Sequence, residues 1–190
     1  MIREYIFAIN KLIPLNDDLQ KAADLCCESI FKDNKIMLFG NGGSAAECQH
    51  FAAEMMMRIH TPRMPFPAIS LASDASVITA IANDSGADQI FARQVDGIAM
   101  PGDTVICFSA RGHSPAVIEG VKAAKNAGCN VVGLLGRNGG KLFDMVDVPI
   151  LIQSDCISHV HAAHSVAMHV IADLIEQGFD RMVNEIGESS

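Results

Sequence analysis

A histidine and a carboxylate four residues apart, His50 and Glu54, stand in a stretch of sequence that is predicted to be helical. Residues four apart lie on one face of a helix, so the two side chains can act on the same target. An imidazole and a carboxylate at this spacing can hold a divalent metal ion, zinc above all, or can move a proton. For these two residues alone, a surface ion pair and a hydrogen-bonded core histidine remain alternatives.

The last predicted helix, over residues 158–177, adds His161, His164 and His169, so that three of the seven histidines of the chain fall within nine residues. On a helix, His161 and His169 differ by about 80° in direction and ~12 Å along the axis, and His164 points about 140° away from His169. Either both side chains lean toward one metal ion, or this helix completes a site in another subunit. The spacing does not choose between these arrangements.

Two loops that contain glycine and serine could hold the phosphate group of a small substrate. Residues 40–44 (GNGGS) open the predicted helix that carries His50 and Glu54, and residues 109–114 (SARGHS) open another helix. Backbone N–H groups at a helix start bind anions, and two such loops on one sheet can converge on the same anion. The first loop lacks the spacing of a dinucleotide or nucleotide triphosphate motif. A plain strand-to-helix turn without a ligand is the alternative.

The elements that must position these residues alternate between short apolar runs and helical stretches. The predicted strands are 35–39, 68–71, 104–108, 131–135 and 148–152. The predicted helices are 44–58, two within 75–100, 114–127, 140–145 and 158–177, the last of them capped by Ser158 and ended by Gly178. This alternation predicts an α/β fold, a doubly wound five-stranded parallel sheet flanked by helices, with ligands at the carboxyl ends of the strands.

The length of 190 residues fits one domain, which we expect to span 1–190. Residues 1–33 read as an N-terminal helical extension, and residues 34–190 read as the α/β core. Asn16 or Asp17 is predicted to cap the second helix of the extension. The extension can cover the sheet or pack against a second subunit.

Composition and charge narrow the partners of this domain. The net charge of −8 and the lack of a Lys/Arg run argue against nucleic acid, because affinity for a phosphate backbone depends on clustered cations. No uncharged apolar stretch of roughly 18 or more residues predicts a membrane span. The N-terminus lacks the pattern of a signal peptide, and the six cysteines contain no Cys-x-x-Cys pair. We therefore expect a reduced, cytoplasmic protein without disulfides.

The run GNGGSAAECQHFAAE (40–54), the later NDSG (83–86), the SARGHS loop and the histidines of the last helix together resemble the sugar isomerase (SIS) domain family, and within it the bacterial phosphoheptose isomerases. The resemblance covers nearly the whole chain. It implies the SIS fold and a homotetramer with active sites between subunits. It also implies conversion of sedoheptulose 7-phosphate into D-glycero-D-manno-heptose 7-phosphate, the first step toward the heptose of lipopolysaccharide.

The resemblance also implies residue roles, position by position. Contacts to the sugar phosphate are implied for Asn41, Gly42, Gly43, Ser44, Glu54, Asn83, Asp84, Ser109, Ala110, Arg111, Ser114 and His161. About one zinc ion per subunit would be held by His50, Glu54, His161 and His169. Glu54 is also the implied base, with His169 as its acid–base partner. Because a carboxylate bound tightly to zinc is a poorer base, we expect Glu54 to act mainly as the base.

The chain departs from the family pattern at three places. The family's serine loop, Ser-Thr-Ser-Gly-Asn-Ser, is changed here at Ala110, Arg111 and His113. The family's glutamine on the last helix is His161, and an aspartate three residues earlier is Ser158. The two lost hydroxyls bear on which sugar phosphate is used. The imidazole at position 161 favours a transition metal, because imidazole binds zinc more strongly than an amide does.

A non-enzymatic relative with the same fold, which binds the bacterial replication initiator protein, is the main alternative. That relative also has an arginine in the phosphate loop, as at Arg111, and a matching GNG-x-SAA-x-x-QHFA segment. It has lost the catalytic glutamate and histidine, whereas Glu54 and His169 are both present here. A scaffold without chemistry has no physical need for this pair, so we favour the enzyme. A sensor or isomerase of another sugar phosphate is a third alternative, suggested by the altered serine loop.

Overall fold

The computed structural model describes residues 1–58, 60 and 62–188, with backbone only for 185–188. The helices are α1 (Ile2–Asn10), α2 (Asn16–Phe31), α3 (Gly43–Met56), α4 (Ala75–Ser85), α5 (Ala92–Ile98), α6 (Pro115–Asn126) and α7 (Ile157–Glu188). The strands are β1 (Ile36–Gly40), β2 (Ala68–Ser70), β3 (Thr104–Ser109), β4 (Asn130–Gly136) and β5 (Val148–Ile152). Single 3₁₀ turns lie at Ile13–Leu15 and Gly140–Leu142. No described helix is long and apolar enough to cross a membrane.

The five strands form one parallel sheet in the order β2-β1-β3-β4-β5. All residues of β1 and β3 are buried, because helices cover both faces of a parallel sheet. The chain moves from β1 outward to β2 and then returns to β3 on the other side of β1, so the strand order reverses between β1 and β3. The predicted doubly wound sheet is confirmed, and a ligand is expected at this reversal point.

The helices on the two faces of the sheet bury separate apolar clusters. Ile36 and Leu38 of β1 face the cluster formed with α2, α3 and α7, whereas Met37 and Phe39 face the cluster formed with α5 and α6. This alternation follows from the two-residue repeat of a strand. The helices that carry the histidines and Glu54, α3 and α7, therefore lie side by side on the same face of the sheet.

The last helix differs most from its predicted bounds. It begins at Ile157, so Ser158 lies in its first turn and does not cap it, and it continues past Gly178 to Glu188. Gly178 does not end the helix. The residue is glycine because α2 packs closely there: a Cβ at position 178 would lie 2.8 Å from Sγ of Cys27 on α2. Close packing between α2 and α7 thus outweighs the weak helix propensity of glycine.

Two smaller predictions also differ from the structure. The helix predicted over 140–145 is only the 3₁₀ turn Gly140–Leu142. Helix α2 begins at Asn16, after Leu15, and no side chain caps it. The predicted N-terminal helices are present as α1 and α2, and α2 covers the sheet through the cluster that it shares with α3 and α7.

Candidate functional site

A cavity of about 430 Å³ opens at the carboxyl ends of β1 and β3, where the strand order reverses. Its polar lining comes from both predicted phosphate loops and from α7, and consists of Asn41, Ser44, Ser109, Arg111, His113, Ser114 and His161. Its apolar lining consists of Phe108, Ala110, Pro115 and Val117. Parallel strands place successive loops at one edge of the sheet, which is why loops distant in sequence share one cavity.

The loop after β1 depends on glycine for its close approach to the neighbouring strand. Gly42 has a φ of 62°, and a Cβ on Gly40 would lie 2.9 Å from the carbonyl oxygen of Phe108. Glycine is the residue that meets both requirements without strain. Asn41 donates from Nδ2 to Oγ of Ser114 at 2.8 Å, which ties the first loop to the second.

The loop after β3 is held by its own backbone and serines. The Gly112 N–H donates to Oγ of Ser109 at 3.1 Å, and a Cβ on Gly112 would lie 1.8 Å from the carbonyl oxygen of Gly139. Ser114 precedes α6 but makes no side-chain cap hydrogen bond to that helix. Because its hydroxyl accepts from Asn41, its own O–H can be donated to a ligand at the start of α6.

Seven of the twelve residues that were predicted to contact substrate line this cavity: Asn41, Ser44, Ser109, Ala110, Arg111, Ser114 and His161. Gly42 and Glu54 are not among its lining residues. Gly43, which does not line it, packs against the His161 imidazole, since a Cβ on Gly43 would lie 3.0 Å from Cε1 of that ring. Asn83 and Asp84 lie elsewhere, near the end of α4, and hydrogen-bond to each other at 2.9 Å. Helix α4 buries none of its residues within one chain. Within one chain, these two residues are not brought to the cavity.

Three of the four predicted metal ligands meet between α3 and α7. Oε1 of Glu54 lies 3.2 Å from Nε2 of His50 and 2.9 Å from Nδ1 of His169. One ligand atom from each of the three side chains lies within 4.8 Å of the other two. Oε2 of Glu54 is buried and has no hydrogen-bond partner among the described residues.

The donor set and its spacing fit a zinc ion. Zinc ligands lie about 2.0–2.2 Å from the ion, so ligand atoms in a tetrahedral site are roughly 3.4 Å apart. The contacts of 3.2 Å and 2.9 Å made by Glu54 are close to that value. Two imidazoles and a carboxylate leave a fourth position open, as in catalytic zinc sites. A buried carboxylate oxygen without a protein partner is the kind of polar atom that an ion would satisfy.

The structure places His161 outside this three-residue group. Nδ1 of His161 lies 3.3 Å from Oε1 of Glu47 on α3. Glu47 precedes Glu54 by seven residues, and His161 precedes His169 by eight. Two carboxylate–imidazole pairs therefore link α3 to α7 about two turns apart. His161 and His169 are too far apart along α7 to share one partner, and within one chain each of them contacts a different carboxylate of α3.

Glu47 was not singled out by the sequence, although it lies two turns before Glu54 on the same helix face. Burial raises the pKa of the Glu47 carboxyl above its ordinary value, and the neighbouring His161 opposes that rise. Oε2 of Glu47 is buried and has no hydrogen-bond partner among the described residues. The seven-residue spacing between Glu47 and Glu54 was the feature of the sequence that could have identified Glu47 as a site residue.

His164 lies behind the cavity, fully buried on α7. Its ring centroid is 6.0 Å from that of Phe108 and 6.4 Å from that of His161, and both of these residues line the cavity. Burial lowers the pKa of the imidazole to about 4, and the nearby backbone of Leu135 opposes part of this shift. The imidazole is therefore neutral at pH 7, and neither ring nitrogen makes a well-formed hydrogen bond within the described part of the chain.

We expect His164 to make the protein sensitive to acid. The imidazole titrates near pH 6.5 when unfolded and near 4 when folded, so between these values only the unfolded state binds the proton. Stability must then fall as the pH falls, by about 2 kcal/mol between pH 7 and pH 5. Urea unfolding at both pH values should show a loss smaller by about this amount in His164→Leu than in the wild type. An equal loss in the two proteins would contradict this assignment.

Comparison with known proteins finds the same family by sequence. Residues 5–136 match the SIS domain family model. A phosphoheptose isomerase from Trichlorobacter lovleyi is 43% identical over 164 residues, which cover 86% of this chain and 84% of that protein. A probable phosphoheptose isomerase from Thermoplasma acidophilum is 42% identical over 168 residues, covering 87% of this chain and 92% of that protein.

Solved structures give the same result for the fold. A phosphoheptose isomerase from Neisseria gonorrhoeae superposes with a TM-score of 0.87 at 36% identity, covering 93% of this chain and 95% of that chain. One from Francisella tularensis superposes with a TM-score of 0.89 at 29% identity, covering 93% and 94%. The similarity thus extends over nearly all of both chains.

Proposed function

Because the chain belongs to the SIS-domain family and groups there with the phosphoheptose isomerases, we propose that it converts sedoheptulose 7-phosphate into D-glycero-D-manno-heptose 7-phosphate through an enediol. The observation that carries this function is the 2.9 Å contact between Glu54 and His169, which come from two different helices. An isomerase needs such a pair, and a regulatory scaffold does not. The curated relatives are named as isomerases, which favours the enzyme over the regulator.

The cavity supplies the groups that a sugar phosphate requires. Helices α3 and α6 begin at the two loops that line the cavity, and helix starts favour anions. The hydroxyls of Ser44, Ser109 and Ser114 add donors around the same cavity. Arg111 adds a positive charge where the family has a hydroxyl, so phosphate binding here relies more on charge and less on neutral hydrogen bonds.

The chemistry is a proton transfer between adjacent carbons of the bound sugar. Glu54 removes the proton from the carbon next to the carbonyl and returns it to the neighbouring carbon. His169, through its ring nitrogens, transfers protons to and from the two oxygens of the enediol. Their contact orients the imidazole relative to the carboxylate before substrate arrives, which lowers the cost of reaching the reactive geometry.

We further propose that the group of His50, Glu54 and His169 holds about one zinc ion per subunit. When bound, this ion would supply Lewis acidity, which polarises the carbonyl and hydroxyl of the sugar. His161 is better placed to contact substrate, because it lines the cavity and pairs with Glu47.

Elemental analysis of protein purified without added metal should find about one zinc per subunit, and His50→Ala should lose most of it. His159→Ala is the matched control, because it removes a histidine of α7 that packs on Tyr5 outside this group. Its zinc content should equal that of the wild type. A wild-type protein that contains no zinc and takes up none on titration would remove this part of the proposal.

We also propose a homotetramer with active sites between subunits. Helix α1 exposes Ile2, Ile6 and Phe7, which are candidates for burial against another copy. Helix α4 buries none of its residues within one chain, so a neighbour packed against it could bring Asn83 and Asp84 to a site. Native mass spectrometry that found only monomers would contradict this arrangement.

The charge of the proposed substrate and the identity of the proposed product indicate where the reaction takes place and what it supplies. A sugar phosphate does not cross a membrane unaided, so we place the reaction in the cytoplasm. The product would supply heptose for lipopolysaccharide. The net charge of −8 argues against a nucleic acid as the ligand of this protein.

The deciding experiment is an assay of sedoheptulose 7-phosphate turnover by the purified protein. Formation of the heptose 7-phosphate, followed by NMR, supports the proposal. A protein that turns over neither this substrate nor another ketose phosphate, and that binds the replication initiator protein in a pull-down, would be a regulator instead.

A further inference from the structure

A buried ion pair joins the segment after α3 to the middle of α7. Nε of Arg63 donates to Oε1 of Glu176 at 2.8 Å, and each side chain is only 4% exposed. Removing two charges from water costs free energy, which is recovered only when the geometry is good and the remaining donors and acceptors are satisfied. The partners of those remaining donors and acceptors therefore indicate what the pair does.

The two terminal nitrogens of the Arg63 guanidinium bind the end of α3, and Nη1 also donates to the carbonyl of Met64 at 3.1 Å. Its Nη1 donates to the carbonyl of Met55 at 2.9 Å, and its Nη2 donates to the carbonyl of Glu54 at 3.1 Å. The carbonyls of a last helical turn have no partner within the helix, and a cation is favourable at that end. The guanidinium also stacks on the Phe66 ring, 3.8 Å from its centroid. Arg63 thereby fixes the backbone that carries the Glu54 side chain.

Glu176 fixes the same segment to α7. It follows His169 by seven residues, so the two side chains lie on one helix face about two turns apart. Its Oε2 accepts from the backbone N–H of His60 at 3.0 Å. The His60 imidazole in turn lies 2.9 Å from Oδ1 of Asp173, another α7 residue. The end of α3 and the segment after it are thus held to α7 by several polar contacts.

From these contacts we propose that Arg63 and Glu176 are positioning residues, which hold α3 and α7 in the register that brings Glu54 against His169. The inference deepens the isomerase function proposed above and rests on it. Helix α3 carries His50 and Glu54 and helix α7 carries His169, and the closest contact between the two helices in this group is 2.9 Å. A relative shift of about 1 Å would open this contact, and reacting groups tolerate little displacement.

Two single variants and one double variant test the role of the pair. Arg63→Lys keeps the charge but loses the forked geometry, and Glu176→Gln keeps the shape but loses the charge. The double variant Arg63→Met with Glu176→Met replaces the pair by apolar side chains. Such replacements often leave stability intact, yet methionine cannot donate to the carbonyls of Glu54 and Met55.

We expect all three proteins to show a kcat about 10- to 100-fold lower with a nearly unchanged KM, because groups that orient metal ligands and catalytic residues matter by such factors. Titration with Co²⁺ alone, followed by absorption, should show about 10-fold weaker binding. Lys122→Met is the control, since it breaks an exposed ion pair with Glu119 on α6 and should change neither readout.

A double variant with the thermal stability, kcat and cobalt affinity of the wild type would overturn the proposal. Crystal structures of the wild type and of each variant that folds measure the separation between Glu54 and His169 directly, whatever the substrate. An unchanged separation would likewise overturn it. If the wild type does not turn over sedoheptulose 7-phosphate, the proposed function fails. Cobalt binding and the crystal structures still test whether Arg63 and Glu176 position Glu54 against His169.

Discussion

Glu54→Gln is expected to lower kcat for sedoheptulose 7-phosphate by about 10²- to 10⁴-fold, the range associated with loss of a general base. Glutamine has nearly the same size as glutamate, so the packing of α3 is retained. The amide, however, cannot accept the proton that the sugar carbon must lose. Steady-state kinetics together with a thermal unfolding curve measure the effect and show that the fold is unchanged.

Glu28→Gln provides the matched control for this change. Glu28 lies on α2, is exposed, and pairs with Lys32 on the same helix. The same chemical substitution there removes a surface charge that lies away from the cavity, so kcat should equal that of the wild type. Full activity in Glu54→Gln would show that a different group removes the proton, with the buried Glu47 as the next carboxylate to examine.

His169→Ala is expected to lower kcat by about 10²- to 10⁴-fold, because the partner that handles the enediol oxygens is lost. The variant should also bind less zinc, since His169 is one of the three grouped ligands. His169 is partly exposed, with 46% of its side chain accessible, so added imidazole can reach the vacated space. We expect imidazole to restore part of the activity in proportion to its concentration.

His159→Ala, on the same helix, separates this role from general effects of removing a histidine. It should retain wild-type kcat, and imidazole should not change it. A His169→Ala protein with full activity would exclude His169 as the acid–base partner. Loss of activity without any response to imidazole or any loss of zinc would indicate a packing role instead.

The sequence predicted the sheet because each strand is a short, continuous apolar run. All five predicted strands are present, and their ends lie within one residue of the predicted positions, an error that is ordinary for element ends. The predicted end of the last helix was wrong because Gly178 was treated as a local stop. Its missing side chain instead makes room for Cys27, a residue far away in sequence.

The candidate site was predictable only in part, because some of its contacts also join residues that are far apart in the sequence. His50 and Glu54 could be paired from their spacing, since both are on one helix. The partner of His161 could not, because Glu47 lies on a different helix. Arg63 also carries no local signal, as its contact with Glu176 joins segments that only the folded chain brings together.

By itself, the sequence determined which side chains share a helix face, which loops follow which strands, and that the strands run parallel, because these depend on local repeats and on the order of elements. Only the tertiary structure decided that Glu54 meets His169 while Glu47 meets His161. That choice depends on the axial register of α3 against α7. Register is set by how both helices pack on one face of the sheet and by cross-links such as Arg63–Glu176, and neither is encoded in the spacing along a single helix.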